Sequence, residues 1–255
     1  MKKLVIAGLV LALAGCAATP APVPTVTADP LTGTITVFAA ASLTDSFAGI
    51  AAAFKKEHPN VDVVFSFGGS SALATQIVEA APVDVFAAAS PATMTTVTDA
   101  SLTAGDPADF ASNTLEIAVP ADNPGKVTGL SDFADADLDI ALCAVEVPCG
   151  AAAAKVFTAT GITASVDTYE QDVKAVLTKI SLGEVDAGLV YKTDVLAAGD
   201  GVTGIEFPES SEAVNEYPIA ALSASTNRDA AAAFVKFVLS TKGQAILAAA
   251  GFAAP

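Results

Sequence analysis

The polar groups best placed to meet a ligand in this 255-residue chain are two serines at the ends of apolar runs. Ser42 follows TITVFAAA (34–41) and opens a helical pattern. Ser70 follows VDVVFSF (61–67) and the pair Gly68-Gly69, and opens another. Serine is a favoured helix N-cap, and Asp45 stands three residues after Ser42 in capping-box spacing. Gly68 and Gly69 let the backbone approach a ligand closely before the second helix begins. Taken singly, each serine reads as a cap. Taken together, at equivalent strand ends of one sheet, they would aim two hydroxyls and two sets of free N–H groups into one crevice. Donors of that kind bind anions; they do not make or break bonds.

Other chemistry finds little support. The single histidine, His58, lies in KKEHPN, a charged helix end before Pro59 that reads as solvated. A Ser–His–Asp set would have only that base. There is no G-x-S-x-G elbow, P-loop or H-E-x-x-H, and Asp84, Asp186 and Asp194 read as turn and helix-end residues rather than paired catalytic acids. One histidine also makes a metal site a poor reading. The formal charge of −16 excludes general affinity for nucleic acid. Arg228 is the only arginine, so an anion site here cannot rest on an arginine cluster. The aromatic share of 6%, without tryptophan, argues against stacking platforms for sugars or bases.

At the amino terminus, Lys2 and Lys3 precede an apolar stretch, Leu4 to Ala14, too short to span a bilayer comfortably. It closes on Leu13-Ala14-Gly15-Cys16, which resembles a bacterial lipobox, the alternative being an ordinary signal peptide cleaved nearby. The expectation is a signal peptide over 1–15, lipidation at Cys16, and a Pro-, Ala- and Thr-rich tether over 16–33. The body would then be extracytoplasmic, lipid-anchored to the outer face of the cell membrane. In that setting Cys143 and Cys149, with AVEVP between them, read as a small-loop disulfide, with two free buried thiols as the alternative.

The elements that must position these groups alternate along the body. Strand-like runs at 34–41, 61–67 and 84–90 are separated by helical patterns at 43–57 and 71–81, with a third helix after Pro91; this predicts a parallel sheet with helices on its faces. The alternation resumes with strands at 114–120, 138–143, 165–169 and 186–191, and helices at 150–160 and 170–183. Further apolar runs at 201–208 and 217–222 precede two closing helices at 228–240 and 242–251. The order predicts an α/β chain of two lobes, each a mainly parallel sheet flanked by helices. One lobe would hold 34–113 and 217–255, the other 114–216, with two crossing strands as hinge.

The stretches VFAAASLTDSF, FGGSSALATQI, APVDVFAAAS, VPCGAAAAKVF, QDVKAVLTKISLGEVDAGLVYKTDV, EYPIAAL and GQAILAAAGF together resemble the periplasmic molybdate-binding proteins of ABC transporters. The resemblance spans residues 35–252. It implies a type II periplasmic-binding-protein fold that closes on an oxyanion held by neutral donors, and the return of the C-terminus to the first lobe rests mainly on it. Carried over by local match, Ser42 and Ser70 would bind through hydroxyl and backbone groups. Cys149 and Val173 would bind through backbone N–H groups, and Tyr191 through its phenol. Cys149 departs from the alanine frequent at this position, which a backbone contact tolerates. Without the resemblance, Tyr191 reads as a core residue ending a strand.

The physics is consistent with that implication. Helix N-termini each carry roughly +0.5 charge, so about four of them offset a dianion without Lys or Arg. A site of donors alone also favours a fully deprotonated anion over hydrogen phosphate, whose proton wants an acceptor. With the lipobox and the missing catalytic sets, the expectation is a lipoprotein that is not an enzyme and has no cofactor, and that, being tethered, need be no more than a monomer. It would carry molybdate, or near-isosteric tungstate, to a membrane permease driven by a cytoplasmic ATPase. A receptor for sulfate or another oxyanion, an exported serine hydrolase, and a structural envelope lipoprotein without ligand stand as alternatives.

Overall fold

The computed structural model describes residues 31–255, so the signal segment, Cys16 and nearly all of the tether lie outside the described residues. The chain runs β1 (Gly33–Ala40), α1 (Thr44–Glu57), β2 (Val61–Gly68), α2 (Ser70–Val78), β3 (Val85–Ala87), α3 (Pro91–Asp99) and β4 (Ala108–Asn113). It continues through β5 (Leu115–Pro120), β6 (Ile140–Cys143), α4 (Pro148–Thr160), β7 (Thr168–Glu170), α5 (Val173–Ser181), β8 (Ala187–Tyr191), α6 (Lys192–Ala198) and β9 (Val202–Ile205). It ends with β10 (Asn215–Ala221), α7 (Arg228–Val238) and α8 (Thr241–Ala249).

These strands form two five-stranded sheets, ordered β2-β1-β3-β10-β4 and β7-β6-β8-β5-β9. The last four residues of β1 are all buried, as expected of a central strand covered on both faces. In α1, Phe47, Ile50 and Phe54 share the buried face at helical spacing. There Phe54 meets Phe234 and Phe237 of α7 edge-on, at 5.3 and 5.5 Å between ring centres. In the second unit α5 buries Val173, Val176, Leu177 and Ile180, the i, i+3, i+4, i+7 stripe of an amphipathic helix.

The chain passes between the sheets twice. It leaves the first at Asn113 and starts β5 after one residue, Thr114; it returns from β9 through a 3-10 turn, Pro208–Ala213, into β10. A strand arriving from the other sheet runs against its new neighbours. Thus β10 is antiparallel to β3 and β4, and β5 to β8 and β9, while β1-β2, β1-β3, β6-β7 and β6-β8 are parallel. Both sheets are therefore mixed, where βαβ counting alone predicts mainly parallel ones. Helices α7 and α8 lie on the first sheet, and the chain beyond them pairs Ala253 with Ser112 beside the crossing.

Among the described residues no single helix is long and apolar enough to cross a membrane. Only α7 and α8 taken together pass such a test, and they are bent by 57° with Phe234, Phe237 and Leu247 in the core.

Candidate functional site

Neither serine caps its helix. Ser42 lies in a 3-10 turn, Ala41–Leu43, that runs straight into α1, leaving Leu43 at the N-cap with φ −88° and ψ −4°. A capping side chain needs extended backbone there, so the capping box predicted for Ser42 and Asp45 does not form. Ser70 is one residue too far along: Gly69 holds the N-cap of α2. Both hydroxyls are turned elsewhere. Ser42 Oγ lies 3.0 Å from the phenol oxygen of Tyr217, and Ser70 Oγ accepts the N–H of Ala89 at 3.0 Å.

Five separate elements nevertheless bring Ser42, Ser70, Cys149, Val173 and Tyr191 around one small cavity of about 10 Å³. That is smaller than the roughly 300–1,000 Å³ of a drug-sized pocket and suits a ligand of a few atoms. The first sheet contributes the second residue after β1 and the start of α2. The second contributes the first turn of α4, the start of α5 and the end of β8. Helix α4 begins at Pro148, two residues before the predicted start, because proline suits the first helical position. Cys149 is thereby placed in the first turn, where backbone N–H groups lack intrahelical partners. Helix α5 begins at Val173 rather than at residue 170, with the Asp172 carboxylate capping it by accepting the N–H of Ala175 at 3.0 Å.

The walls between these donors are mostly apolar or bare backbone: Ala41, Gly69, Ala89 and Val147 line the same cavity, Asp172, whose carboxylate caps α5, is its one charged lining residue, and none is a lysine or arginine. Ala41 is carried by the first sheet but packs into the core of the second. Gly69 is placed by close approach and not by its dihedrals (φ −61°). A Cβ there would lie 2.3 Å from the carbonyl oxygen of Gln171, across the cavity in the other unit.

Tyr191 is fully buried, and its phenol meets no partner at hydrogen-bonding geometry, although Tyr217 and the Asn215 amide are close enough to act on it electrostatically. Burial pushes its pKa well above the ordinary phenol value, and the Tyr217 phenol and Asp194 carboxylate push the same way. Tyr191 is thus a neutral donor without a protein acceptor. Asp194, in the first turn of α6, lies close by, its Oδ2 accepting the Tyr191 N–H at 3.1 Å. Burial raises the Asp194 carboxyl to about 6, against the pull of Lys174, whose Nζ lies 3.2 Å from Oδ1.

Several of these contacts had no sequence signal. Tyr217, the partner of Ser42, sits in EYPIAAL, which the resemblance matched only as a stretch with no role for the tyrosine, and Asn215, whose amide donates to Ala89 O at 2.8 Å, stands just before it. The carboxylates expected in turns and helix ends serve backbone: Asp84 accepts from Thr36 N at 2.7 Å, and Asp186 from Asp139 N at 2.9 Å. Asp194 alone among them lies at the site. His58 follows the 14-residue α1 and packs 4.6 Å from the Phe54 ring. At about 1.5 Å per residue, that helix separates it from Ser42 by roughly 20 Å, out of reach as a base.

A disulfide joins Cys143, at the end of β6, to Cys149, with Cα atoms 5.7 Å apart. It ties the first turn of α4 to the sheet and leaves Cys149 only its backbone to offer the cavity. Replacing both cysteines with serine is expected to lower unfolding stability by about 2 kcal/mol, the chain-entropy value for so short a loop. Urea denaturation measures this, and an unchanged midpoint would mean that the bridge does not stabilise the fold.

The chain has counterparts among known proteins. A family model described as bacterial extracellular solute-binding protein matches residues 35–253. The molybdate-binding protein ModA of Mycobacterium tuberculosis is 42% identical over 255 residues, covering 99% of this chain and 97% of its own. Two solved structures share the fold: the periplasmic molybdate-binding protein of Azotobacter vinelandii, and the sulfate-binding protein SubI of M. tuberculosis. The first has a TM-score of 0.76 at 22% identity, covering 87% of this chain and 99% of its own; the second scores 0.74 at 19%, covering 86% of each.

Proposed function

Because this chain belongs to the family of bacterial extracellular solute-binding proteins, we propose that it captures molybdate and delivers it to the permease of an ABC importer. Tungstate, nearly isosteric, enters the same site. The observation that carries this reading is the small cavity where Ser42, Ser70, Cys149, Val173 and Tyr191 meet. Its hydroxyls and helix starts are donors, and its walls bring no Lys or Arg. Helix N-termini supply the positive potential that a dianion requires. The unpartnered Tyr191 phenol is the acceptor-seeking group such an oxyanion would satisfy.

In this reading the two sheets are the cores of two lobes, 34–113 with 217–255 and 114–216. The crossings at Thr114 and before Asn215 are the hinge, and the cavity is the closed cleft. A monomer suffices, tethered through Cys16 at the outer face of the membrane. Sulfate is the second oxyanion to test, because the sulfate-binding protein SubI shares the fold.

Thermal unfolding tests the assignment. A ligand that binds only the native form stabilises it by about 2.7 kcal/mol at a hundredfold excess over Kd. Micromolar molybdate is therefore expected to raise the melting temperature by several degrees, and sulfate at equal concentration to raise it less. A melting curve that ignores molybdate, tungstate and sulfate alike would end the proposal.

A further inference from the structure

One side chain binds three elements around the cavity without lining it. Lys174, second residue of α5, reaches across to Asp45 on α1, its Nζ 3.0 Å from Asp45 Oδ2 and 3.2 Å from Asp194 Oδ1. Asp45 belongs to a helix of the first sheet; Lys174 and Asp194 belong to helices of the second. The Lys174–Asp45 pair therefore exists only while the facing ends of the two sheets are together. Asp194, wholly buried, anchors the inner end of the pair and also accepts the backbone N–H of Tyr191.

We propose that Lys174 is a latch that sets the residence time of the bound anion: its ion pair with Asp45 holds the cleft shut, while Asp194 couples the closed position of Lys174 to Tyr191. This rests on the oxyanion-binding reading above. The charge needed for the latch is secure. Burial works to lower the Lys174 pKa, but Asp194 and Asp45 together hold it above the ordinary lysine value. The outer partner is well exposed, Asp45 at 62%, so the latch is weak enough to open and sensitive to salt. Two further polar ties between the units, from Ser71 Oγ to the Glu146 carbonyl and from the Asn113 amide to Thr193 Oγ1, carry no charge.

The clean variant is Asp45→Asn, which removes the inter-sheet charge and leaves Lys174 paired with buried Asp194. Lys174→Gln would instead strand Asp194 and can unfold the protein for that reason alone. With the full-length protein and molybdate, stopped-flow kinetics should show Asp45→Asn releasing the anion about two- to fivefold faster, the range of a partly exposed ion pair. The association rate should change little, and Asp45→Glu should restore slow release. The wild-type and Asp45→Asn release rates should converge as salt rises, a readout that loss of packing would not give. Equal release rates at every salt concentration, with wild type binding molybdate normally, would overturn the latch and leave the ligand assignment standing. Wild type that fails to bind molybdate would remove the assignment, and the latch with it.

Discussion

Alanine at both Ser42 and Ser70 is expected to weaken molybdate binding by a hundredfold or more. A hydrogen bond to a charged group contributes about 1.5–3 kcal/mol, so losing two removes roughly 3–6 kcal/mol, or two to four decades in Kd. Each hydroxyl also has a partner in the protein. Ser42→Ala leaves the buried Tyr217 phenol without its serine, and Ser70→Ala strips the Ala89 N–H of its acceptor. Folding stability should therefore fall too, by about 1–3 kcal/mol for each group left unsatisfied. Titration calorimetry on variants still folded by circular dichroism separates the two effects. A folded double variant that binds as tightly as wild type would show that neither hydroxyl touches the anion.

The second large effect comes from adding one methyl group. Gly69→Ala puts a Cβ 2.3 Å from the Gln171 carbonyl oxygen, well inside van der Waals contact. The obstruction is backbone, which cannot rotate aside as a side chain can. Closure should be blocked, and molybdate affinity should drop at least tenfold. Open protein is not strained, because Gly69 has ordinary dihedrals, so the ligand-free melting temperature should move little. Gly68→Ala is the control: its Cβ would meet Leu73 no closer than 3.8 Å, an ordinary contact, and binding should persist. Wild-type affinity in Gly69→Ala would mean that the two units need not approach this closely to hold the ligand.

The neighbouring glycines also show what a sequence can and cannot convey. FGGSS announces a close approach of backbone before a helix, but not which glycine faces the opposite unit; that depends on Gln171, 102 positions away. Strands such as β1 and helices such as α5 are legible because their burial follows a strict period. β4 (ADFASN) and the seven-residue α6 carry half-polar or short patterns and pass unnoticed. The five residues around the cavity were reached chiefly through resemblance, with local physics supplying only the serines. That physics named the two serines that line the cavity, but by a different route: capping places an oxygen at a helix start, yet both hydroxyls are turned to partners from other segments. Tyr217, Asn215 and Lys174 were missed because their roles arise from contacts between distant segments.

Ala41 gives the calorimetry a meaning of its own. Its methyl group is carried by one sheet and housed in the hydrophobic interior of the other, so if the two units part and close on a ligand, opening would wet hydrocarbon that closure dries again. Drying hydrocarbon lowers heat capacity. A heat-capacity decrease on uptake of an ion that has no hydrocarbon would therefore be a signal from the protein's own seam, and its size would count the apolar surface sealed there.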